Sequence, residues 1–174
     1  LGVAEVRLRL SGIGGQGIVF AGRLLSQALL EEGKHVTLRY AYGAEVMGTP
    51  VHSEILFSSE PILCPYFRKA DVAVILHPRA LAEALPGLSE KGLLVVDEAI
   101  ELVEVPPGVR VEVRPFVAAS ARGRPGDPGR LAPLAALGFL ARLGFFSLPP
   151  LLRQAGTGRA AEENIAALRL GFDL

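Results

Sequence analysis

Cysteine is nearly missing from this chain: Cys64 is the only one among 174 residues. No internal disulfide can form. A cubane iron–sulfur cluster takes four thiolates, and a structural zinc site takes several Cys or His ligands. One Cys and three scattered histidines (His35, His52, His77) supply neither, so this chain has no resident metal site to expect. Any redox centre in the protein's working life lies on another chain or is an organic cofactor. Net charge is missing too: 18 Lys and Arg balance 18 Asp and Glu. That argues against nucleic acid or an anionic membrane as the main partner, because both need a basic face, and leaves local basic patches open. Long uninterrupted apolar runs are scarce. The nearest to a membrane span, Leu131 to Leu152, carries Pro133, Arg142 and Pro149-Pro150, and a charge at mid-span is costly. It reads as a helix buried against protein. One free thiol and no recognisable signal peptide point to the cytoplasm.

What is present is apolar. Hydrophobic residues make up 50% of the chain and mean hydropathy is +0.38, enough for one domain with a full core. Val6, Leu8 and Leu10 alternate with Glu5, Arg7 and Arg9, the period of a strand. Ile18, Ala21, Leu24, Leu25, Ala28 and Leu29 then recur at helical spacing. Val36, Leu38 and Tyr40 alternate again, and after a loop at 41–50 so do Val51, Ser53, Ile55 and Phe57. Residues 71–77 (DVAVILH) and 92–97 (GLLVVD) are apolar runs of the kind found in parallel strands covered on both faces. A short helix at 79–85 separates them, and a last strand is expected around Val109, Val111 and Val113.

The predicted fold is α/β: a doubly wound, mostly parallel Rossmann-like sheet with helices on both faces and a helical C-terminal segment. The strand at 51–57 breaks the alternation of strand and helix. One domain spans 1–174, with the sheet at about 1–119, a Gly/Pro-rich linker at about 120–130, and helices at 130–143, 148–155 and 159–171. In such sheets ligands bind beyond the carboxyl ends of the strands. The segments reaching that edge are the glycine loop, the 40–50 loop, His77-Pro78 and Asp97-Glu98.

Gly12, Gly14 and Gly17 form G-x-G-x-x-G between strand and helix, with Gly15 and Gln16 inside. One glycine makes the turn, one admits a phosphate and one lets helix pack on strand, while the helix start favours an anion. The acid expected at the end of the second strand of a dinucleotide site is absent: Arg39 and Tyr40 stand there. Two readings therefore remain side by side, an anion-binding loop and a turn needed for packing. A P-loop is excluded because no G-K-[ST] follows. A thiamine diphosphate motif is missing as well, since the one Gly-Asp, Gly126-Asp127, is followed by Pro128.

Residues 10–22 (LSGIGGQGIVFAG), followed by 41–49 (AYGAEVMGT), resemble the γ subunit, or γ domain, of 2-oxoacid:ferredoxin oxidoreductases. The family's second signature is S-Y-G-P-E-x-R-G-G, and Tyr42, Gly43, Glu45 and Gly48 match it in register. Met47 stands where the family has Arg, and Thr49-Pro50 replace a Gly and a small residue. The later apolar strands and the helix at 131–143 match too, so the resemblance covers nearly the whole chain.

The resemblance implies a subunit of an enzyme that converts a 2-oxoacid and coenzyme A to acyl-CoA and carbon dioxide, with electrons passed to ferredoxin. It implies partner subunits of alpha, beta and delta type that carry thiamine diphosphate, Mg and [4Fe-4S] clusters. Gly12, Gly14, Gly15, Gln16, Gly17, Tyr42, Gly43, Glu45, Gly48 and Thr49 are then its contact loops, toward coenzyme A at the subunit boundary or toward a partner chain, with no catalytic residue of its own. The homologous small subunit of indolepyruvate ferredoxin oxidoreductase and a stand-alone nucleotide or coenzyme A module are the alternatives. Outside these motifs, Gln16 is read as pointing to a ligand or partner, His77 as a structural histidine, Asp97 as a cap, and Cys64 as an inert apolar filler. Phe145-Phe146 is read as core or subunit contact.

Overall fold

A computed structural model describes residues 5–42, 48–102, 104–121 and 129–174. Six strands form one sheet: β1 (Glu5–Ile13), β2 (His35–Tyr42), β3 (Pro50–Ser58), β4 (Ala70–Ile75), β5 (Leu88–Asp97) and β6 (Arg110–Arg114). Their order is β2-β3-β1-β4-β5-β6. β1, β4, β5 and β6 pair in parallel, while β3 runs antiparallel to both β1 and β2. The sheet is thus mostly parallel, and the exceptional strand of the sequence is the one reversed strand. The cause is the connection: a few residues between Tyr42 and Pro50 leave no length for a crossover helix, so the chain must turn straight back.

The helices are α1 (Ile18–Glu31), α2 (Pro78–Ala84), α3 (Phe116–Ser120), α4 (Ala132–Arg142), α5 (Leu148–Ala155) and α6 (Ala161–Asp173). They cover both faces unequally. The main core joins β1, β3 and β4 to α1, α4, α5 and α6, with Leu8, Leu10, Leu25 and Leu137 essentially sealed. A smaller core under α2 holds Ile75, Ala80, Leu94 and Val96. All residues from Ala132 to Ala141 are buried, as expected of a helix apolar on every side. None of the described helices is long and apolar enough to cross a membrane.

The predicted strand boundaries hold closely, except that β5 begins at Leu88 rather than Gly92. One short element just ahead of the predicted linker is additional to the expected ones. Residues 116–120 close a short helix, α3, because Asp97 at the end of β5 accepts a hydrogen bond from the Val117 amide at 2.8 Å. Residues 122–128 lie outside the described residues.

Candidate functional site: the glycine-loop cleft

β1 ends at the carboxyl edge of the sheet and runs directly into the glycine loop. The hairpin between β2 and β3 returns to the same edge, since Ile13 lies opposite Pro50 and Tyr42 opposite Val51. The Gly14 amide donates to the Thr49 carbonyl at 3.3 Å. The two sequence motifs are therefore one structural unit, joined by their main chains. On the far side, the Arg79 guanidinium of α2 donates to the Gly48 carbonyl at 3.1 Å.

Inside the loop the glycines divide their work. A Cβ on Gly12 would fall 2.5 Å from Gln16 Oε1 and 2.8 Å from Ile18, and one on Gly17 2.9 Å from the Arg130 carbonyl oxygen. Gly17 also holds φ at 82° as the N-cap of α1, a conformation that suits glycine. These two glycines serve packing. Gly14 and Gly15 face open space, with nothing within 4 Å of an added Cβ. The packing reading thus describes Gly12 and Gly17, while Gly14 and Gly15 are not needed for packing.

The open half borders a cleft of about 450 Å³. Its described lining includes Gly14, Gly15, Phe20, Arg23 and Tyr42, and no acidic side chain among the described residues. Phe20 and Tyr42 are 48% and 65% exposed. No acid sits in the first turn of α1, and no side chain caps it; its first residues, Ile18 and Val19, line the cleft, where an uncapped helix start leaves amides and partial positive charge.

A model of the pyruvate ferredoxin/flavodoxin oxidoreductase family matches residues 7–174. The chain belongs to this family. Among its relatives, 2-oxoglutarate synthase subunit KorC of Archaeoglobus fulgidus is 33% identical over 171 residues, covering 98% of this chain and 88% of that one. A crystal structure of a keto/oxoacid ferredoxin oxidoreductase gamma subunit from Geobacter sulfurreducens superimposes with a TM-score of 0.81 at 24% identity, covering 97% of this chain and 95% of that one. A 2-oxoglutarate:ferredoxin oxidoreductase from Magnetococcus marinus, with 2-oxoglutarate, coenzyme A and succinyl-CoA bound, matches with a TM-score of 0.85 at 22% identity over 98% of this chain and 31% of that much longer one. The family resemblance read from the two motifs is borne out.

Buried polar side chains hold the walls of the cleft together. Gln16 does not project outward: it is 2% exposed. Its Oε1 accepts from the Ile13 amide at 3.0 Å and its Nε2 donates to the Leu76 carbonyl at 3.3 Å. It is a strut between the glycine loop and the end of β4. Sequence reasoning missed a second buried connection. His52 Nδ1 lies 2.8 Å from the Ser11 hydroxyl and Nε2 lies 3.0 Å from Glu83. Serine, histidine and carboxylate are aligned, yet Ser11 is fully buried and no substrate can reach it, so the row ties β1 and β3 to α2 rather than doing nucleophilic chemistry.

Asp97 is a cap, as expected, accepting from Ala99 at 3.0 Å as well as from Val117. Cys64 is exposed rather than an apolar filler, and its neighbours Leu63 and Tyr66 are exposed with it, the segment being held to β2 by a Thr37 hydroxyl bond to the Pro65 carbonyl. Phe146 is core, edge-on to Phe57. Arg39 lies 4.8 Å over the Tyr66 ring and within 3.7 Å of Glu54, which directs it away from any ribose. Gly43, Glu45 and Met47 fall outside the described residues.

His77 caps α2, its Nδ1 accepting from the Arg79 amide at 3.2 Å. Burial, and then the nearby Arg79 charge, hold its pKa below the ordinary value of 6.5. The unfolded chain therefore binds the proton more readily, so the His77 contribution is complete above about pH 6.5 and is lost as pH falls toward the folded-state value. The urea midpoint should drop below pH 6.5, and His77→Asn, which keeps a capping group, should flatten part of that drop. An unchanged pH profile in the variant would show that His77 does not contribute.

Proposed function

We propose that this chain is the gamma-type subunit of a multi-subunit 2-oxoacid:ferredoxin oxidoreductase. That enzyme oxidatively decarboxylates a 2-oxoacid with coenzyme A to give acyl-CoA and carbon dioxide, and passes the electrons to ferredoxin. Family membership supports the reaction class, and relatives named as subunits of such enzymes support a role beside other chains. With one cysteine, this chain has no thiolate set for a cluster. Thiamine diphosphate, Mg and the [4Fe-4S] centres are assigned to partner subunits of alpha, beta and delta type in the cytoplasm.

The observation that carries the reading is the Gly14–Thr49 bond, which fuses the two motifs into one wall of an open cleft. That wall fits coenzyme A at a subunit boundary: Gly14 and Gly15 admit close approach, the start of α1 supplies amides for a phosphate, and Arg23 adds charge. Coenzyme A brings the thiol that accepts the acyl group. This chain's part is to hold the cofactor's body against the sheet edge and, with Phe20 and Tyr42, to present a partly apolar rim to a partner.

A self-contained dinucleotide enzyme fits less well. β3 separates β1 from β2, so the second strand's end lies two strand spacings, about 10 Å, from the loop and carries no acid. The test is reconstitution of the oxidoreductase with and without this chain. Reduction of ferredoxin is measured with pyruvate, 2-oxoglutarate, branched-chain and aryl 2-oxoacids. Coenzyme A-dependent turnover should require the chain, and full turnover in its absence would refute the proposal.

A further inference from the structure

The connection from β3 to β4, residues 59–69, has no helix or strand of its own, yet it is pinned along its length. The Lys34 ammonium donates to the Ser59 hydroxyl at 2.7 Å, and the Glu60 amide to the Ser58 hydroxyl at 3.0 Å. Thr37 donates to the Pro65 carbonyl at 3.3 Å. Arg39 lies 4.8 Å over the Tyr66 ring and Arg9 5.8 Å over the Phe67 ring. Lys69 donates to the Pro86 carbonyl at 2.6 Å, and Pro61 and Pro65 each fix a φ angle. Val36 and Leu38 pack into the main core, so Thr37 and Arg39, which alternate with them, hold this segment on the opposite face of β2.

Held this firmly, the segment still turns its apolar side chains outward. Leu63 is 96% and Tyr66 63% exposed, and Pro61, Cys64 and Pro65 between and beside them are exposed as well. Single exposed apolar residues are ordinary, whereas a contiguous apolar patch marks a contact surface. The charges that the segment carries or touches are mostly of one sign: Lys34, Arg39, Arg68 and Lys69. Glu60 is the one acid from 59 to 69, and Glu54, with its side chain 12% exposed, is already paired with Arg9 and Arg39. Arg68 is exposed and has no ion pair or hydrogen bond among the described residues.

We infer that residues 61–66 form a docking ridge for another subunit of the oxidoreductase, one that presents an apolar hollow with an acidic rim. The inference rests on the subunit reading proposed above. Residues 59–69 take no part in the described lining of the glycine-loop cleft, so the ridge is a second contact, separate from it. Because the ridge is already ordered, docking loses little conformational freedom. A second copy of this chain fits less well: a two-fold contact sets a patch against itself, which would bring Arg39 and Arg68 near their own counterparts, and like charges across an interface are costly. A lipid surface fits less well too, since the segment lacks the amphipathic helix that lies in such a surface.

The test titrates this chain into the remaining subunits of the oxidoreductase and reads the concentration at which half of the ferredoxin-reducing turnover returns. Leu63→Asp and Arg68→Glu change exposed side chains, so the fold should stand, as circular dichroism would show. Each should raise the half-maximal concentration about tenfold, with turnover at saturation and KM for coenzyme A unchanged, which separates the ridge from the cleft. Added salt should weaken the unchanged chain and narrow its difference from Arg68→Glu. Arg169→Glu, the same reversal at an exposed position of α6, should have no effect. Half-maximal concentrations unmoved by Leu63→Asp and Arg68→Glu, or moved equally by Arg169→Glu, overturn the inference and leave the subunit reading standing. No recovery with the unchanged chain overturns both. The inference is also overturned by a dimer of the free chain that Leu63→Asp dissociates, or by pelleting with phosphatidylserine–phosphatidylcholine vesicles that Leu63→Asp abolishes.

Discussion

Gly171→Ala should destabilise the isolated chain by about 3 kcal/mol, at the upper end of ordinary overpacking costs. A Cβ at Gly171 would overlap the Ala135 carbonyl, and one at Gly138 would overlap the Leu168 carbonyl. Both collisions are with main chain, which has no rotamer to give, so α4 and α6 would have to separate. α4 is buried from Ala132 to Ala141, and moving it opens the main core. Helix propensity alone argues the reverse, favouring alanine by about 1 kcal/mol. The steric term is larger and sets the sign. For a chain of this size the melting temperature should fall by roughly 6–12 °C, followed by circular dichroism. Gly138→Ala should behave alike. A raised or unchanged melting point in both variants would mean that the two helices do not touch as described.

Gly14→Val should do the opposite: leave the chain intact and cripple the enzyme. Nothing lies within 4 Å of a Cβ built there, and no positive φ constrains the position. Valine keeps the amide that bonds Thr49, so the melting temperature should change by no more than an ordinary surface substitution, about ±0.5 kcal/mol in stability. Two branched methyls would stand in the cleft where a cofactor or partner backbone is proposed to approach. In the reconstituted oxidoreductase, kcat/KM for coenzyme A should fall by about tenfold to a hundredfold, or assembly should weaken by a similar factor, 1.4 kcal/mol for each tenfold. A stable variant with unchanged assembly and turnover would remove the cleft from the mechanism. Gly12→Val separates packing from function, since its Cβ meets Gln16 and Ile18 and should cost stability first.

The contrast between Gly12 and Gly14 shows how far the sequence could be read. The switch from period two to helical spacing around 10–18 is a local signal, so β1, the loop and α1 were legible. That Gly17 packs depends on Arg130, more than a hundred positions away, and no local pattern records it. The same holds for Gln16, whose partner is Leu76, and for His52, whose partners Ser11 and Glu83 are 41 and 31 residues distant. Alternation at Val51, Ser53, Ile55 and Phe57 announced a strand but not its direction. Direction follows from the short 43–49 connection, a length argument rather than a pattern. Cys64 is exposed although cysteine is among the residue types most often buried, and its apolar neighbour Leu63 is 96% exposed too; residue type alone does not record that this segment stays outside the core.

The central claim is that this chain works only as part of a larger oxidoreductase, with the glycine-loop cleft at the boundary. Native mass spectrometry of the protein isolated from its own cells tests that most directly. The account predicts that the chain is recovered in a complex with larger subunits, that iron and thiamine diphosphate travel with those subunits, and that Gly14→Val weakens the complex or its coenzyme A-dependent turnover. Recovery of the chain as a monomer, with no larger partner and unaffected by Gly14→Val, would contradict it.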